Sequence, residues 1–456
     1  MILRRGLTAV VGTRLCPSMA TTETHPVDEV PPIGQLAALG LQHVLAMYAG
    51  AVAVPLIVGA ALRMSVADIG YLVSADLLVS GAATLLQCLG VWRFGVRLPI
   101  MQGCTFAAVT PMVLIGTTGG GITAIYGAVI VSGVLMIALA PLWGRLLRFF
   151  PPLVTGTVIL IIGLSLLPVA VNWAAGGVGA DGFGAPRNLA LAAGVLLIIL
   201  LLHRFAPPAL ARIAVLLGVV LGTLLAIPFG FTDFSGLGDA GWFGVSAPFH
   251  FGLPTFDVAA IISMAVVMVV TMTETTGDIL AVGEIADRPV APRDLADGLR
   301  ADGLSTVVGG VFNTFPYTAF AQNVGLVGLT GVRSRFVVAV GGGILVLLGL
   351  VPVLGALVAT IPAPVLGGAG IAMFGTVAAS GIRTLGAVSF TGNANLMVVA
   401  VSVGVGLVPV AVPEVYDAFP LWFRTIMSSG ISAGCVAAVL LNLFFNHGRG
   451  ARRPAA

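Results

Sequence analysis

The sequence predicts an all-α polytopic membrane protein with fourteen transmembrane segments, arranged as two inverted repeats of seven. Three observations predict it. Of 456 residues, 58% are hydrophobic and only 9% are charged, and the mean hydropathy is +1.10. Apolar runs of about 20 residues, the length that crosses a bilayer, recur from residue 33 onward. The arginines fall between those runs in a pattern that alternates from one side to the other.

The charge count excludes a protein that folds in water, where about a quarter of residues are charged. The apolar fraction is too high for a disordered chain. The 61 Gly and 27 Pro are too many for a bundle of plain apolar rods. Breaks in lipid must be received by protein or by an aqueous cavity, so their positions carry information.

Residues 1–32 read as a cytoplasmic N-terminal tail. They carry Arg4, Arg5 and Arg14 but no apolar core long enough for a secretory signal. Met19 opens a polar stretch, ATTETHPVDEV, typical of a cytosolic start, so residues 1–18 are expected to be an upstream misassigned start or a dispensable tail. Spans follow near 33–60, 66–91, 99–116, 120–141, 152–172, 188–206 and 209–231, then 256–282, 295–312, 317–330, 335–352, 364–382, 392–409 and 424–446. The first seven form one repeat, 33–231, and the last seven the other, 256–446; residues 447–456 are a second cytoplasmic tail.

Every basic residue is Arg. With the N-terminus inside, eighteen of the 21 face the cytoplasm, and Arg63, Arg187 and Arg424 fall outside. Miscounting one span would scramble that split, which supports the span count and both termini being cytoplasmic. A net charge of +3 without a basic tract gives no reason to expect nucleic acid. Cys16, Cys88, Cys104 and Cys435 have no metal or disulfide spacing and read as small interface fillers.

Two spans are abnormal. Residues 99–116 and 317–330 are short, interrupted by Gly or Pro, and polar at the centre. Each is third in its set of seven, and an odd number of spans inverts the second set relative to the first. Paired interrupted segments in matching positions are the pattern of a transporter's midplane binding site.

Ionisable side chains within spans are costly and mark candidate sites. His43 lies in the first span and Asp76 in the second. Glu274 and Asp278, four residues apart, share a face of the eighth, and Asp302 lies in the ninth. Asp76 reads as a packing residue, because its helix shows no other polar feature of interest. No Arg lies at comparable depth, so some of these acids are expected to be neutral or hydrogen-bonded. A buried carboxyl that loads and releases a proton is what proton coupling requires. Gln322 offers a donor beside an acceptor, while a carboxylate such as Glu274 only accepts. Together they suit a flat heterocycle with lactam or imide edges, such as an oxidised purine or uracil.

At these residues the chain resembles the nucleobase–ascorbate transporter family. Gln322-Asn323-Val324-Gly325, followed by Thr330-Gly331, fits the family signature. The match extends to Gln42-His43, Gln102-Gly103, Glu274-Thr-Thr-Gly-Asp278 and the run from Asp302 through FNTFPYTAFAQN, and covers residues 33–446. The resemblance implies short strands in the third and tenth spans. It also implies a core domain (33–141 plus 256–352) that moves against a gate domain (152–231 plus 364–446), in a homodimer.

It further implies that Glu274 and Gln322 bind the base and that Asn323 helps set binding, with Phe106 and Thr105 closing the pocket; Ala321 is given no role. Asp278, Asp302 and His43 are the expected proton-coupling group. Gln at position 322 resembles carriers of xanthine and urate, whereas Glu is typical of uracil carriers. The small Thr105 favours urate, and Gly331, where some relatives have Arg or Lys, leaves the choice among purines open.

The expectation is therefore a proton-coupled symporter importing xanthine or urate across the cytoplasmic membrane, with co-transported H⁺ and no cofactor or metal. Its alternatives are a uracil or other nucleobase symporter and an anion transporter of the same fold. An anion site would want positive charge where this chain has acids and amides. An enzyme is not expected, since His43 is the lone deep His and no HExxH motif or Ser/His pairing is present.

Overall fold

In lipid the backbone has no water to bond, so apolar runs close their hydrogen bonds within themselves as helices. The computed structural model describes residues 25–447 except 178, 181, 233 and 235–240. The expectations about residues 1–18, Cys16 and the arginines of both tails lie outside the described residues. The first set of helices is α1 (Ile33–Ala61), α2 (Val66–Leu89), α3 (Val109–Ile115), α4 (Gly121–Leu139), α5 (Trp143–Leu146), α6 (Pro152–Ala174), α7 (Pro186–Phe205), α8 (Pro208–Ala211) and α9 (Ala214–Ala226). The second comprises α10 (Val258–Ile285), α11 (Pro292–Val311), α12 (Ala321–Thr330), α13 (Arg335–Gly349), α14 (Pro352–Ala359), α15 (Ala363–Leu385), α16 (Asn393–Ala411), α17 (Leu421–Met427) and α18 (Gly430–Asn442). Two strands interrupt them, β1 (Gln102–Cys104) and β2 (Tyr317–Ala319).

Among the described residues eight helical stretches are long and apolar enough to cross a membrane. The pair α13 and α14, bent by 81°, makes a ninth if taken as one span. Several expected spans take other forms. The third is a strand followed by a half-helix, and α3 and α4 are divided by a kink at Gly119 (φ 105°). The ninth, α11, carries Arg293, Asp294, Asp297, Arg300 and Asp302 and is too polar to count. The eleventh stops at Gly349 instead of running to 352, because Pro352 has no N–H to continue the ladder and starts α14 at a new angle. The fourteenth is broken at Ser428–Ser429, where Ser429 caps α18 through Ser432 N.

The helices pack closely at glycines. α13 lies on α2 and α1, α11 on α4 and α2, and α10 on α4 and β2. α6 lies on α15, α16 and α18, and α15 also covers α7 and α9. A Cβ at Gly81 would stand 2.5 Å from Gly342 O, and one at Gly163 would stand 2.3 Å from Ala378 N. Small residues at such crossings let backbones approach, which is how membrane helices gain packing where burial drives little. The surplus of glycine is thus spent largely on helix contacts, and only partly on the breaks.

The segment just before α1 is tied down. Asp28 bridges to Arg335 at 2.7 Å and to Arg288 at 3.3 Å, and Ser334 Oγ donates to Glu29 O at 2.6 Å. Arg335 also donates to Cys88 O and Leu89 O, covering carbonyls that the end of α2 leaves free.

Candidate functional site

The two interrupted segments meet as a small antiparallel sheet. Gln102 pairs with Ala319, Gly103 with Thr318 and Cys104 with Tyr317. Thr105 N donates to Pro316 O at 2.9 Å, and Phe320 N to Met101 O at 3.0 Å, extending the pairing at both ends. All six strand residues are buried. α3 follows β1 and α12 follows β2, so the two half-helices leave the antiparallel pair in opposite directions. At the start of α12 Asn323 N and Val324 N donate to Phe320 O, and among the described residues no acceptor takes the N–H of Ala321 or Gln322.

Asp302 is wholly buried behind this sheet. One carboxyl oxygen accepts from Gln87 Nε2 at 2.7 Å and the other from Thr275 Oγ1 at 2.6 Å. Thr275 Oγ1 also lies 3.0 Å from Thr318 Oγ1 on β2. Gln87 is itself fixed, donating to Gly298 O and accepting from Val96 N. Thus α2, α10, α11 and β2 are joined through one carboxyl.

Asn323, 1% exposed, makes the direct link to the first helix. Its Nδ2 donates to His43 O at 2.9 Å and lies 3.1 Å from His43 Nδ1. The carbonyl fixes which end of the amide is the donor, so Nδ1 must accept and the ring proton sits on Nε2. Asn323 Oδ1 is buried without a partner among the described residues.

Glu274 and Asp278 sit one turn apart on α10, both half-buried, and Gln322 is exposed in the first turn of α12. α10 packs against both β2 and α12. None of the three side chains forms a hydrogen bond or ion pair with a described residue. Open space adjoins them: a Cβ at Gly277 or Gly325 would meet nothing within 4 Å. Phe106 is half-buried and edge-on to Phe374 of α15, with ring centroids 5.7 Å apart. Thr105 uses its hydroxyl to accept from Ala107 N and its N–H on Pro316 O, so its side chain is committed to the turn. Ala321 is exposed at the start of α12.

The structure therefore joins Asp302 to Thr275 and His43 to Asn323, and places Glu274 and Gln322 on packed elements without a bond between them. It also shows a cluster the sequence reading passed over. Asp76 Oδ1 lies 2.8 Å from Tyr317 Oη, 2.8 Å from Cys104 Sγ, 3.2 Å from Thr314 Oγ1 and 3.4 Å from Ser80 Oγ. Its helix is not otherwise featureless. Asp76, Ser80, Thr84 and Gln87 follow at helical spacing, and all four are fully buried. Thr84 Oγ1 accepts from Gln102 N at 2.9 Å. That polar periodicity inside an apolar helix was the available signal.

A family model, Xan_ur_permease, described as a permease family, matches residues 34–415. The chain is 48% identical over 430 residues to the uric acid transporter UacT of Escherichia coli, covering 93% of this chain and 89% of that one. It is 46% identical over 413 residues to the xanthine permease of Bacillus subtilis, covering 91% and 94% respectively. With the uric acid permease PucK of the same organism it shares 47% over 414 residues, covering 90% and 95%. Among solved structures, the transmembrane domain of the cyanobacterial bicarbonate transporter BicA superposes with a TM-score of 0.61 at 16% identity, over 91% of this chain and all of that one. The murine anion transporter Slc26a9 in its inward-facing state gives 0.57 at 13% identity, over 92% of this chain and 70% of that one. These two share the fold.

Proposed function

The chain belongs to the nucleobase–ascorbate transporter family, a family of multi-pass membrane transporters and not of enzymes, and from that premise we propose that it is a proton-coupled symporter importing xanthine, urate or both across the cytoplasmic membrane. Both termini are cytoplasmic in this reading, and the functional unit is a homodimer. The helices of the 33–141 and 256–352 segments carry the base past those of 152–231 and 364–446.

One observation carries the substrate assignment. Glu274 and Gln322, on packed elements, have no side-chain partner among the described residues, whereas Asp302, Thr275, Thr318 and Gln87 behind them are bonded to one another. Glu274 accepts from ring N–H groups, and Gln322 both donates and accepts along a C(=O)–N–H edge. The N–H groups at the start of α12 complete the contacts in the plane of the base, with Asn323 held in place by His43.

Proton coupling rests on Asp278, Glu274 and Asp302: the first two stand one turn apart on α10, and Asp302 is bonded to Thr275 of the same helix. Asp302 can take up a proton with little movement of heavy atoms. Its Oδ2 then donates to Thr275 Oγ1, whose hydroxyl turns toward Thr318.

The test is uptake of labelled xanthine and urate into cells or proteoliposomes with an inward proton gradient, with and without an uncoupler. Saturable uptake that collapses with the gradient supports the proposal, and gradient-independent uptake removes the coupling. Competition by xanthine, urate, guanine, hypoxanthine and uracil on purified protein ranks the substrates; preference for uracil would overturn the purine assignment.

A further inference from the structure

The second helix of each repeat carries the same short pattern. α2 begins at Val66 and α11 at Pro292, and Asp is the third residue of both, Asp68 and Asp294. Each of these closes its helix's first turn: Asp68 Oδ2 accepts from Ser65 Oγ at 2.7 Å, and Asp294 Oδ2 from Ala291 N at 3.2 Å. Asp76 and Asp302 then occupy the eleventh position of their helices, both preceded by Ala. Ser80 and Thr306 stand one turn later.

Part of the contact pattern repeats as well. Asp76 of the first repeat receives the side chain of Tyr317, the first residue of the second repeat's strand, at 2.8 Å. In the second repeat Asp302 is reached by Gln87 and Thr275 instead, and the side-chain amide of Gln102, the first residue of the first repeat's strand, is buried without a hydrogen bond to a described residue. The N–H of each of those strand residues is taken by a threonine of its own repeat's helix: Gln102 N by Thr84 at 2.9 Å, Tyr317 N by Thr306 at 3.1 Å. Each strand is thus held by its own repeat through the backbone, and β2 also binds the other repeat's aspartate through its leading side chain.

We infer that Asp76 is a positioning residue of the transport site, the first repeat's counterpart of Asp302, which sets the placement of β2 and hence of the α12 turn bearing Gln322 and Asn323. Only Thr318 and Ala319 separate Tyr317 from Phe320, and α12 starts at the next residue, so a shift of the Tyr317 anchor is passed directly to Gln322. The carboxyl is well suited to the task. Oδ1 is within reach of four hydroxyl or thiol donors from α2, β1, β2 and the turn before β2, and Oδ2, wholly buried, has none among the described residues. A carbonyl oxygen in the same place would still accept, so the role needs the acceptor and its reach more than a full charge.

The inference rests on the transport reading above and is tested in the full-length transporter. Wild type, Asp76→Asn, Asp76→Ala and Tyr317→Phe are reconstituted and compared for KM and maximal rate with xanthine, urate and the other nucleobases of the panel, and for melting temperature after purification. Asp76→Asn is expected to keep KM within about threefold of wild type. Asp76→Ala should raise it about tenfold or more, and Tyr317→Phe about three- to tenfold, with an altered ratio of xanthine to urate affinity. The last variant keeps its ring packing, and its melting temperature should stay within about 2 °C. Unchanged KM and selectivity in Tyr317→Phe and in every Asp76 variant that folds would overturn the inference, and a loss of melting temperature alone would make the cluster purely architectural. Should Asp76→Ala not fold, Tyr317→Phe and the rescue by Asn decide. Wild-type uptake of neither purine counts against the proposed substrate and not against Asp76, whose effect is then read as the same KM ratio on whichever panel nucleobase is carried.

Discussion

Asn323 Nδ2 donates to His43 O at 2.9 Å and to His43 Nδ1 at 3.1 Å, joining positions 280 residues apart. Both acceptors face one amide nitrogen, so the pair tolerates a donor at 323 and rejects an acceptor. Asn323→Asp would set a carboxylate against a carbonyl and a ring lone pair, unless the ring took a proton on Nδ1. Purine binding is expected to weaken about tenfold or more at neutral pH. Equilibrium binding to the purified variant checks this, and wild-type affinity would contradict it.

Thr275 is the hinge between Asp302 and β2. Thr275→Val keeps the shape and removes the hydroxyl, leaving Asp302 Oδ2 and Thr318 without their shared partner. A hydrogen bond to a charged group is worth about 1.5–3 kcal/mol, so uptake should fall by about tenfold or more. Thr275→Ser, which restores the hydroxyl, should recover most of it. Equal uptake by the Val and Ser variants would show that the bond carries nothing.

How much of this was legible beforehand follows from which signals are local. Apolar length and arginine placement are properties of single segments, and they gave the long helices. The breaks at 102–104 and 317–319 were visible because Gly, Pro and polar residues cluster there. His43, Glu274, Asp302 and Gln322 stood out as polar groups in apolar runs. Other features depend on long-range pairing. The Asp76 cluster draws on residues 28, 238 and 241 positions away, so the spacing within α2 alone showed a polar face with no indication of what it meets. The bend at Pro352 and the break at Ser428–Ser429 lie within apolar stretches, where a hydropathy pattern passes straight over them.

The ties of Asp28 to Arg335 and Arg288 bind the chain before α1 to the ends of α2, α10 and α13. All three side chains keep some exposure, and such partly exposed pairs are worth at most about 1 kcal/mol each and are screened by salt. Asp28→Asn should therefore lower the melting temperature by no more than a few degrees, and only in low salt. Arg335→Ala should cost more, because its guanidinium also covers Cys88 O and Leu89 O at the end of α2. Thermal unfolding of the purified variants at low and high ionic strength distinguishes the two. Equal losses would mean that the carbonyl contacts of Arg335 contribute nothing.

The crossing of α6 and α15 offers the sharpest test of glycine as a packing residue. A Cβ at Gly163 would lie 2.3 Å from Ala378 N, and one at Gly367 would lie 2.1 Å from Ala174 N. Both obstacles are backbone, which cannot swing aside as a side-chain end does, so the helices must separate. Each added methyl then costs the contacts of the whole seam, and overpacking of this kind typically costs about 1–3 kcal/mol. Gly375 is on the same helix, with nothing within 4 Å of its Cβ position. Gly375→Ala should leave stability unchanged or improve it slightly through helix propensity. Gly163→Ala and Gly367→Ala should each lower the melting temperature by several degrees, and the two together by less than the sum, because the first methyl has already opened the seam for the second. Full additivity would mean that the helices yield locally at each site and do not move as rigid bodies.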